Sequence, residues 1–215
     1  MVHWTMTPLV LFGGTFDPVH LGHLQSALDV CEHLQLSRID LVPNGQPPHR
    51  QATGASAQQR LEMLELAVVG YDKLVIDRRE VQRQGNSYMI DTLQELRQLH
   101  GPYQAFILCM GSDAVVQLTS WCRWQQLSDY TNLLILQRPG MKSSPKLELM
   151  SWQRCDDPCQ LMHWSAGYFS SITLGQYDIA ATNIRTRIAS GQTLAEHWLT
   201  PEVATYIAEH RLYKD

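Results

Sequence analysis

The sequence has little that would suit a membrane or a nucleic-acid surface. Its longest apolar runs, such as Ala105–Met110 and Asn132–Leu136, are far shorter than the ~20 residues that span a bilayer. The first residues show no basic start followed by a long apolar stretch, so we expect no secretory leader. A net charge of −4 excludes a generally basic surface. An anionic ligand would therefore have to be held by a local group of cations and backbone amides.

The sequence also lacks a cysteine pattern. Its five cysteines are an odd number at irregular spacing. Cys155 and Cys159 are separated by three residues, which is not the CxxC spacing of metal or redox motifs, and no second pair accompanies them. We predict reduced thiols in a cytoplasmic protein.

What the sequence does contain is an alternation of short apolar runs with longer amphipathic segments. This pattern predicts an α/β fold, with a doubly wound, mostly parallel sheet covered on both faces. The predicted strands are Pro8–Gly14, Ile39–Pro43, Lys73–Asp77, Gln104–Gly111, Thr131–Gly140 and Tyr168–Leu174. The predicted helices are Leu21–Leu34, Ala57–Val69, Ser87–His100, Thr182–Ala189 and Pro201–His210.

The segments join into one predicted domain. A chain of 215 residues suits a single domain with a small appendage. We expect this domain to span residues 8–215, with a flexible segment at 1–7. Residues around 140–166 lack a regular pattern and predict an irregular surface insertion. Residues around 182–213 predict a small C-terminal helical part.

The stretch LFGGTFDPVHLGH, from Leu11 to His23, concentrates the chemistry. In parallel sheets, ligands bind beyond the carboxyl ends of the strands, where a turn leads into a helix. Gly13 and Gly14 fall at that point, where their backbone amides can approach a phosphate closely, and Thr15 adds a hydroxyl donor. His20 and His23 are three residues apart at a predicted helix start, so both imidazoles should lie on one face.

The residues alone leave two interpretations of the histidine pair. Imidazole is a good metal ligand, and Asp17 could supply a nearby carboxylate. Alternatively, His20 and His23 could be a solvated pair at a helix start. A metal centre lacks a convincing third ligand, and no Ser-His-Asp or Cys-His arrangement is evident in the sequence.

The motifs in order along the chain resemble a known family. GGTFDPVHLGH is similar to the signature of the nucleotidylyltransferase superfamily, with its HxGH element. The flanking motifs resemble the bacterial nicotinate mononucleotide adenylyltransferases. They are PNGQPPHR at 43–50, SYMIDTL at 87–93, GSD at 111–113, Trp121, RPG at 138–140 and IAATNIR at 179–185. The resemblance spans most of the chain and implies a Rossmann-like nucleotidylyltransferase fold.

The resemblance also implies a reaction. AMP would pass from ATP to nicotinate mononucleotide, giving nicotinate adenine dinucleotide and pyrophosphate in NAD biosynthesis, with no covalent enzyme intermediate. Mg²⁺ would be carried by the ATP phosphates and not by dedicated protein ligands. The partners would be these small molecules, with no nucleic acid and no membrane, and the chain would be a monomer or homodimer.

Site residues follow from the same resemblance. The catalytic residues would be His20, His23 and Arg185. ATP would bind to Gly13, Gly14, Thr15, Phe16, His20, His23, Gly111, Asp113, Ile179, Thr182 and Arg185. The mononucleotide would bind to Thr15, Asn44, His49, Arg50, Tyr88, Met89, Thr92, Trp121, Cys122 and Arg138.

One of these roles has independent chemical support. The nicotinate ring of the mononucleotide is a pyridinium, and indole is the best aromatic face for a cation, which suits Trp121. Trp124 lies three residues further on, so one helix face could carry both rings. The nicotinate carboxylate would be held by backbone amides near Trp121 and Cys122. We expect Trp124 to serve packing.

Two positions depart from the family pattern. Ala180 stands where the family has the serine of Ser-x-Thr-x-x-Arg, and Met89 replaces the first threonine of SYTxxTL. We expect a weaker phosphate grip at Ala180, and Met89 leaves the preference between acid and amide mononucleotides open.

Two alternative functions remain. One is a sister enzyme acting on phosphopantetheine or using CTP, against which the PPHR loop together with Trp121 argues. The other is a nucleotide-binding module with weakened catalysis, against which His20, His23 and Arg185 argue.

Overall fold

The computed structural model describes residues 7–45, 54–137, 151–175 and 177–214. The predicted site residues His49, Arg50 and Arg138 lie outside these ranges. Within them, no helix has the length and apolarity that a bilayer span requires.

The described strands form a seven-stranded sheet in the order β3-β2-β1-β4-β5-β7-β6. Registered pairs along the sheet, such as β1 with β4 and β5 with β7, are parallel. The strands are β1 (Leu9–Gly14), β2 (Ile39–Pro43), β3 (Leu74–Ile76), β4 (Phe106–Gly111), β5 (Asn132–Leu136), β6 (Gln153–Arg154) and β7 (Tyr168–Ile172). The predicted α/β class with a mostly parallel sheet is confirmed.

Helices separate most of the strands. They are α1 (Leu21–His33), α2 (Ala57–Ala67), α3 (Arg79–Gln82), α4 (Met89–His100), α5 (Ser112–Val116), α6 (Leu127–Tyr130), α7 (Ala181–Ala189) and α8 (Pro201–Glu209). Short 3₁₀ helices cover Leu118–Ser120, Trp124–Gln126 and Pro158–His163. The prediction missed α3, α5 and α6, which are only four or five residues long, because one turn of helix leaves no periodic pattern.

The chain groups into two compact units. The first unit comprises residues up to Gly13 together with Tyr88–Leu174, and the second comprises Gly14–Ser87 together with Gly175–Asp215. The expectation of one domain over 8–215 therefore stays a prediction.

The first unit is built around β4 and β5, whose side chains are almost entirely buried. Arg97 on α4 lies over the Phe106 ring at 3.8 Å and donates to the carbonyls of Tyr130, Gln104 and Ser165. Residues 151–166, expected to belong to a surface insertion, contribute to this core. Trp152 is 2% exposed and Leu161 fully buried.

The second unit holds α1, α2, α3, α7 and α8 together with β3 and β2, and all residues of β2 are buried. Its helix starts follow local capping chemistry. Ser56 accepts from the Gln59 N–H while the Gln59 side chain accepts from the Ser56 N–H, which confirms the predicted capping box. Thr200 likewise accepts from the Val203 N–H before Pro201.

Candidate active site

The two histidines of the HxGH element lie together at the start of α1, in the second unit. His20 is the N-cap residue, with extended backbone, and is 4% exposed. His23 is three residues further on, and the two rings stack with centroids 3.6 Å apart and planes 24° apart. The Phe16 ring packs edge-on against His23 at 5.1 Å. The i, i+3 spacing thus places both imidazoles on one face, as predicted.

A backbone hydrogen bond sets the tautomer of His23. The His20 N–H donates to Nδ1 of His23 at 3.3 Å. Because an accepting ring nitrogen carries no proton, the proton of neutral His23 lies on Nε2. His23 therefore presents Nε2–H as a hydrogen-bond donor, which is the chemistry that a phosphate oxygen needs.

The glycines around the pair serve space, not unusual backbone angles. A Cβ on Gly14 would lie 2.8 Å from the Phe16 ring, and one on Gly22 would lie 3.1 Å from Nδ1 of His20. The left-handed residue of this turn is Phe16, with φ of 51°, followed by a cis Asp17–Pro18 bond. The left-handed backbone thus follows the two glycines that we expected to form the turn.

Arg185 on α7 is tied to the same segment. Its Nη1 donates to the carbonyl oxygen of Asp17 at 2.5 Å, three residues before His20. Nη2 donates to the hydroxyl of Thr182 at 3.4 Å. The Arg185 side chain is 33% exposed, so solvent or a ligand can reach the guanidinium. The structure thus brings Arg185 and Thr182 to the turn that leads into the histidine pair.

The start of α7 lacks a side-chain cap. Ala180 is the N-cap residue, with φ −126° and ψ 131°, and has no hydroxyl to accept from the first-turn amides. Thr182 is exposed in that turn, and Ile179 just before it is 8% exposed. The first N–H groups of a helix have no intrahelical acceptor, so this turn offers donors to an anion.

Asn44 and Thr15 lie together after β2 and β1, held by a buried arginine that the sequence analysis did not single out. The Asn44 amide donates to the Thr15 hydroxyl at 3.3 Å. Arg60 on α2 is 1% exposed and donates to the Thr15 carbonyl, the Asn44 Oδ1 and the Gly45 carbonyl at 2.6–2.9 Å. An arginine inside an amphipathic helix is typical of a surface residue, so no sequence signal marks it.

The metal interpretation of the histidine pair gains no support from Asp17. Its Oδ2 accepts the Gly54 N–H at 2.9 Å, while Oδ1 accepts the Ala55 N–H and the Tyr213 hydroxyl. Among the described residues, no group of three or more His, Cys, Asp or Glu side chains is arranged to hold a metal ion. The Asp17 carboxylate instead accepts hydrogen bonds from these three protein donors.

The first unit holds a second group of predicted residues around α4. Tyr88 is the N-cap residue, Met89 opens the helix, and Thr92 is fully buried. The methyl carbon of Met89 lies 3.3 Å from the position that a Cβ on Gly13 would occupy. Met89 therefore covers the end of β1.

Gly111 and Asp113 occupy the expected strand end. Gly111 ends β4 and is the N-cap residue of α5, and Asp113 is exposed in the first turn. An exposed carboxylate just beyond a strand end can accept ribose hydroxyls.

The structure separates the two tryptophans that we expected on one helix face. Arg123, between them, has φ of 51°, and Trp124 starts a separate 3₁₀ helix. The shared-face prediction is therefore wrong, because the left-handed residue breaks the helical register. The backbone N–H of Trp121 donates to the Leu118 carbonyl. The binding role expected for Trp121 and Cys122 stays a prediction. Arg123 also pairs with Asp91, which joins this turn to α4.

Comparison with known proteins identifies relatives over nearly the whole chain. The model of the cytidylyltransferase-like family matches residues 11–187. A protein of Pseudomonas aeruginosa named as a probable nicotinate-nucleotide adenylyltransferase is 40% identical over 209 residues, covering 95% of this chain and 96% of the relative. One of Marinobacter nauticus with the same name is 41% identical, covering 90% of each chain.

A solved structure shows the same fold. Plasmodium falciparum nicotinic acid mononucleotide adenylyltransferase, complexed with NaAD, superimposes with a TM-score of 0.76 at 15% identity. The match covers 97% of this chain and 98% of that one.

Proposed function

This chain belongs to the cytidylyltransferase-like family, among relatives named nicotinate-nucleotide adenylyltransferases, and we propose that it transfers AMP from ATP to nicotinate mononucleotide. The products are nicotinate adenine dinucleotide and pyrophosphate. The observation that carries the proposal is the stacked His20–His23 pair, with Arg185 bonded to the turn that precedes it.

The reaction needs positioning and charge neutralisation more than proton transfer. A phosphate monoester has a second pKa of about 6, so the mononucleotide phosphate is already a nucleophile at neutral pH. It attacks the α-phosphorus of ATP in line. The bond between the α-phosphorus and the oxygen that bridges it to the β-phosphorus breaks, and pyrophosphate leaves with the electron pair. No covalent enzyme intermediate is required.

The histidine pair supports this chemistry through its donors. We assign Nε2–H of His23, whose tautomer is set by the His20 amide, to the oxygens around the α-phosphorus. We assign His20 to the same group of oxygens, because its ring stacks on that of His23. Donors held in place before the reaction stabilise the charge that develops in the transition state.

Arg185, Thr182 and the first turn of α7 are assigned to the leaving pyrophosphate. A guanidinium has five N–H donors in a planar fork, which suits phosphate oxygens. Mg²⁺ would enter with ATP as part of the substrate, because this ion keeps much of its water shell and is commonly held through substrate phosphates.

The remaining predicted residues are assigned to the two nucleotides. Asp113, after Gly111, would accept the ribose hydroxyls of ATP, and Gly13 and Gly14 would let the β1 backbone approach its phosphates. Asn44 and Thr15 would bind the mononucleotide phosphate. Trp121 would stack on its pyridinium ring, with Cys122, Tyr88, Met89 and Thr92 around it.

A location in the cytoplasm fits this reaction, because the reaction uses ATP and all five cysteines are free thiols.

The test is an assay of pyrophosphate and adenylylated product with ATP and Mg²⁺. Nicotinate mononucleotide, nicotinamide mononucleotide and phosphopantetheine run in parallel, with His20→Ala as the inactive control. The proposal requires the nicotinate substrate to be used best and the control to lose about 100-fold or more in kcat. The proposal would be overturned if phosphopantetheine were the preferred substrate. It would also be overturned if His20→Ala and the wild-type protein had equal kcat values.

A further inference from the structure

We propose that Tyr213, which follows α8, is a positioning residue for Arg185 and acts through the buried Asp17. This inference rests on the proposed role of Arg185 in binding the pyrophosphate part of ATP. Nothing in the family signature points to Tyr213, which lies 196 residues from Asp17 in the sequence.

The first link is between Tyr213 and the Asp17 carboxylate. The Tyr213 hydroxyl donates to Oδ1 of Asp17 at 2.7 Å, and the Asp17 side chain is 6% exposed. Burial, and then the charge of Asp17, raise the pKa of Tyr213 well above its usual value. The phenol therefore keeps its proton and remains a donor throughout the working pH range of an enzyme.

The second link is between Asp17 and Arg185. Arg185 Nη1 donates to the carbonyl oxygen of Asp17 at 2.5 Å and lies 3.9 Å from its Oδ2. The Asp17 backbone and carboxylate thus hold one edge of the guanidinium. Because the Tyr213 hydroxyl and the Ala55 N–H bind the same carboxylate oxygen, they fix the side chain against which the arginine rests.

The third link is steric. A Cβ on Gly54 would lie 2.6 Å from the Tyr213 ring and 3.4 Å from Cδ of Arg185. The aromatic ring and the aliphatic part of the arginine therefore pack against the same small residue. A side chain at position 54 would displace the Tyr213 ring, and with it the hydroxyl that donates to Asp17.

The backbone after α8 is shaped for this contact. Arg211 and Tyr213 both have left-handed backbones, with φ of 51° and 60°. Between them, Leu212 is buried and donates its N–H to Ile207. Left-handed non-glycine residues are unfavourable locally, so tertiary contacts must hold them. For Tyr213, the bond to Asp17 and the packing on Gly54 are such contacts.

The chain offers a matched control. Tyr206, on α8, donates its hydroxyl to the carboxylate of Glu62, on α2. This hydrogen bond also joins a tyrosine to a carboxylate within the second unit. Burial, and then the hydrogen bond to Glu62, raise the pKa of Tyr206 to about 12. Because its acceptor is Glu62, the substitution Tyr206→Phe removes a similar bond and leaves the Asp17 carboxylate with its own donors.

The experiment compares Tyr213→Phe and Tyr206→Phe in the full chain, alone and combined with Arg185→Lys. Kinetics use whichever mononucleotide the wild-type protein adenylylates best, so a different acceptor would not affect the comparison. We expect Tyr213→Phe to lower kcat about tenfold and Tyr206→Phe to change it by less than about twofold. In the Arg185→Lys background, assayed at high enzyme concentration, Tyr213→Phe should change kcat by less than about twofold.

A second variant and a second measurement guard against other causes. Gly54→Ala would place a methyl group 2.6 Å from the Tyr213 ring and so displace it. This variant should lower kcat in the same way, again only when Arg185 is present. Pyrophosphate binding, measured by calorimetry, does not depend on turnover. It should weaken about fivefold in Tyr213→Phe and remain unchanged in Tyr206→Phe.

Three results would overturn the inference. The first is a Tyr213→Phe protein with wild-type kcat and wild-type pyrophosphate binding. The second is an equal loss in the wild-type and Arg185→Lys backgrounds, which would indicate a general structural role. The third is a loss as large in Tyr206→Phe. By contrast, absence of AMP transfer by the wild-type chain would count against the proposed function, and pyrophosphate binding would then decide on Tyr213.

Discussion

The rings of His20 and His23 stack 3.6 Å apart, and the backbone N–H of the first donates to Nδ1 of the second. One hydrogen bond thus has two effects: it satisfies an amide at the start of α1, and it leaves the proton of neutral His23 on Nε2. The two effects can be separated by substitution.

His23→Asn should keep an acceptor close to the position of Nδ1 and lose the donor at Nε2. We expect kcat to fall about 100-fold or more. The free energy of unfolding should fall by only about 1 kcal/mol, because the bond to the His20 N–H is kept while the ring contacts with His20 and Phe16 are lost. Pyrophosphate release and urea unfolding measure the two quantities. His33→Asn, at the exposed end of the same helix, is the control and should leave both unchanged. An active His23→Asn protein would contradict the assigned role.

Ala180→Ser should supply the missing cap of α7. The extended backbone at this position suits an N-cap serine, whose hydroxyl accepts from the first-turn amides. We expect the free energy of unfolding to rise by about 1 kcal/mol in urea denaturation. Ala181→Ser places the same hydroxyl inside the helix, where it cannot cap, and should give no gain. Equal effects of the two substitutions would show that the cap is not what α7 lacks.

Arg60→Met should destabilise the protein and weaken mononucleotide binding. The substitution removes the donors to the Thr15 and Gly45 carbonyls and to the Asn44 side chain. The Gly45 carbonyl is then left buried without this donor, and the other two acceptors are half-buried. We expect a loss of about 3 kcal/mol in the free energy of unfolding and a raised KM for the mononucleotide. Arg78→Met breaks an exposed pair with Glu65 and should cost less than about 1 kcal/mol. A similar small cost for both would contradict the positioning role of Arg60.

Met89→Thr should favour the acid mononucleotide over the amide. A threonine hydroxyl can donate to a carboxylate, and hydrogen bonds to charged groups are stronger than those to neutral ones. We expect kcat/KM for nicotinate mononucleotide to rise about tenfold relative to nicotinamide mononucleotide. Met89→Val has the shape of threonine without the hydroxyl, and should leave the ratio unchanged. A rise of the same size in Met89→Val would assign the effect to the space opened beside Gly13.

Several features of this protein were determined by the sequence alone, because they depend on neighbours along the chain. The alternation of apolar runs determined the α/β class, and Ser56 with Gln59 determined where α2 begins. The i, i+3 spacing of His20 and His23 placed their rings on one face of α1. Each of these depends on a backbone period or a capping bond that spans only a few residues.

Other features were decided only by the tertiary structure, because they join residues that are far apart along the chain. Arg185 lies 168 residues from Asp17, and Arg60 is buried against carbonyls that follow two different strands. The left-handed Arg123 separates two tryptophans whose spacing predicted a shared face. The packing of the elements determines which acceptor an arginine binds and where a loop departs from helical geometry. The spacing of residues along the chain does not specify that packing.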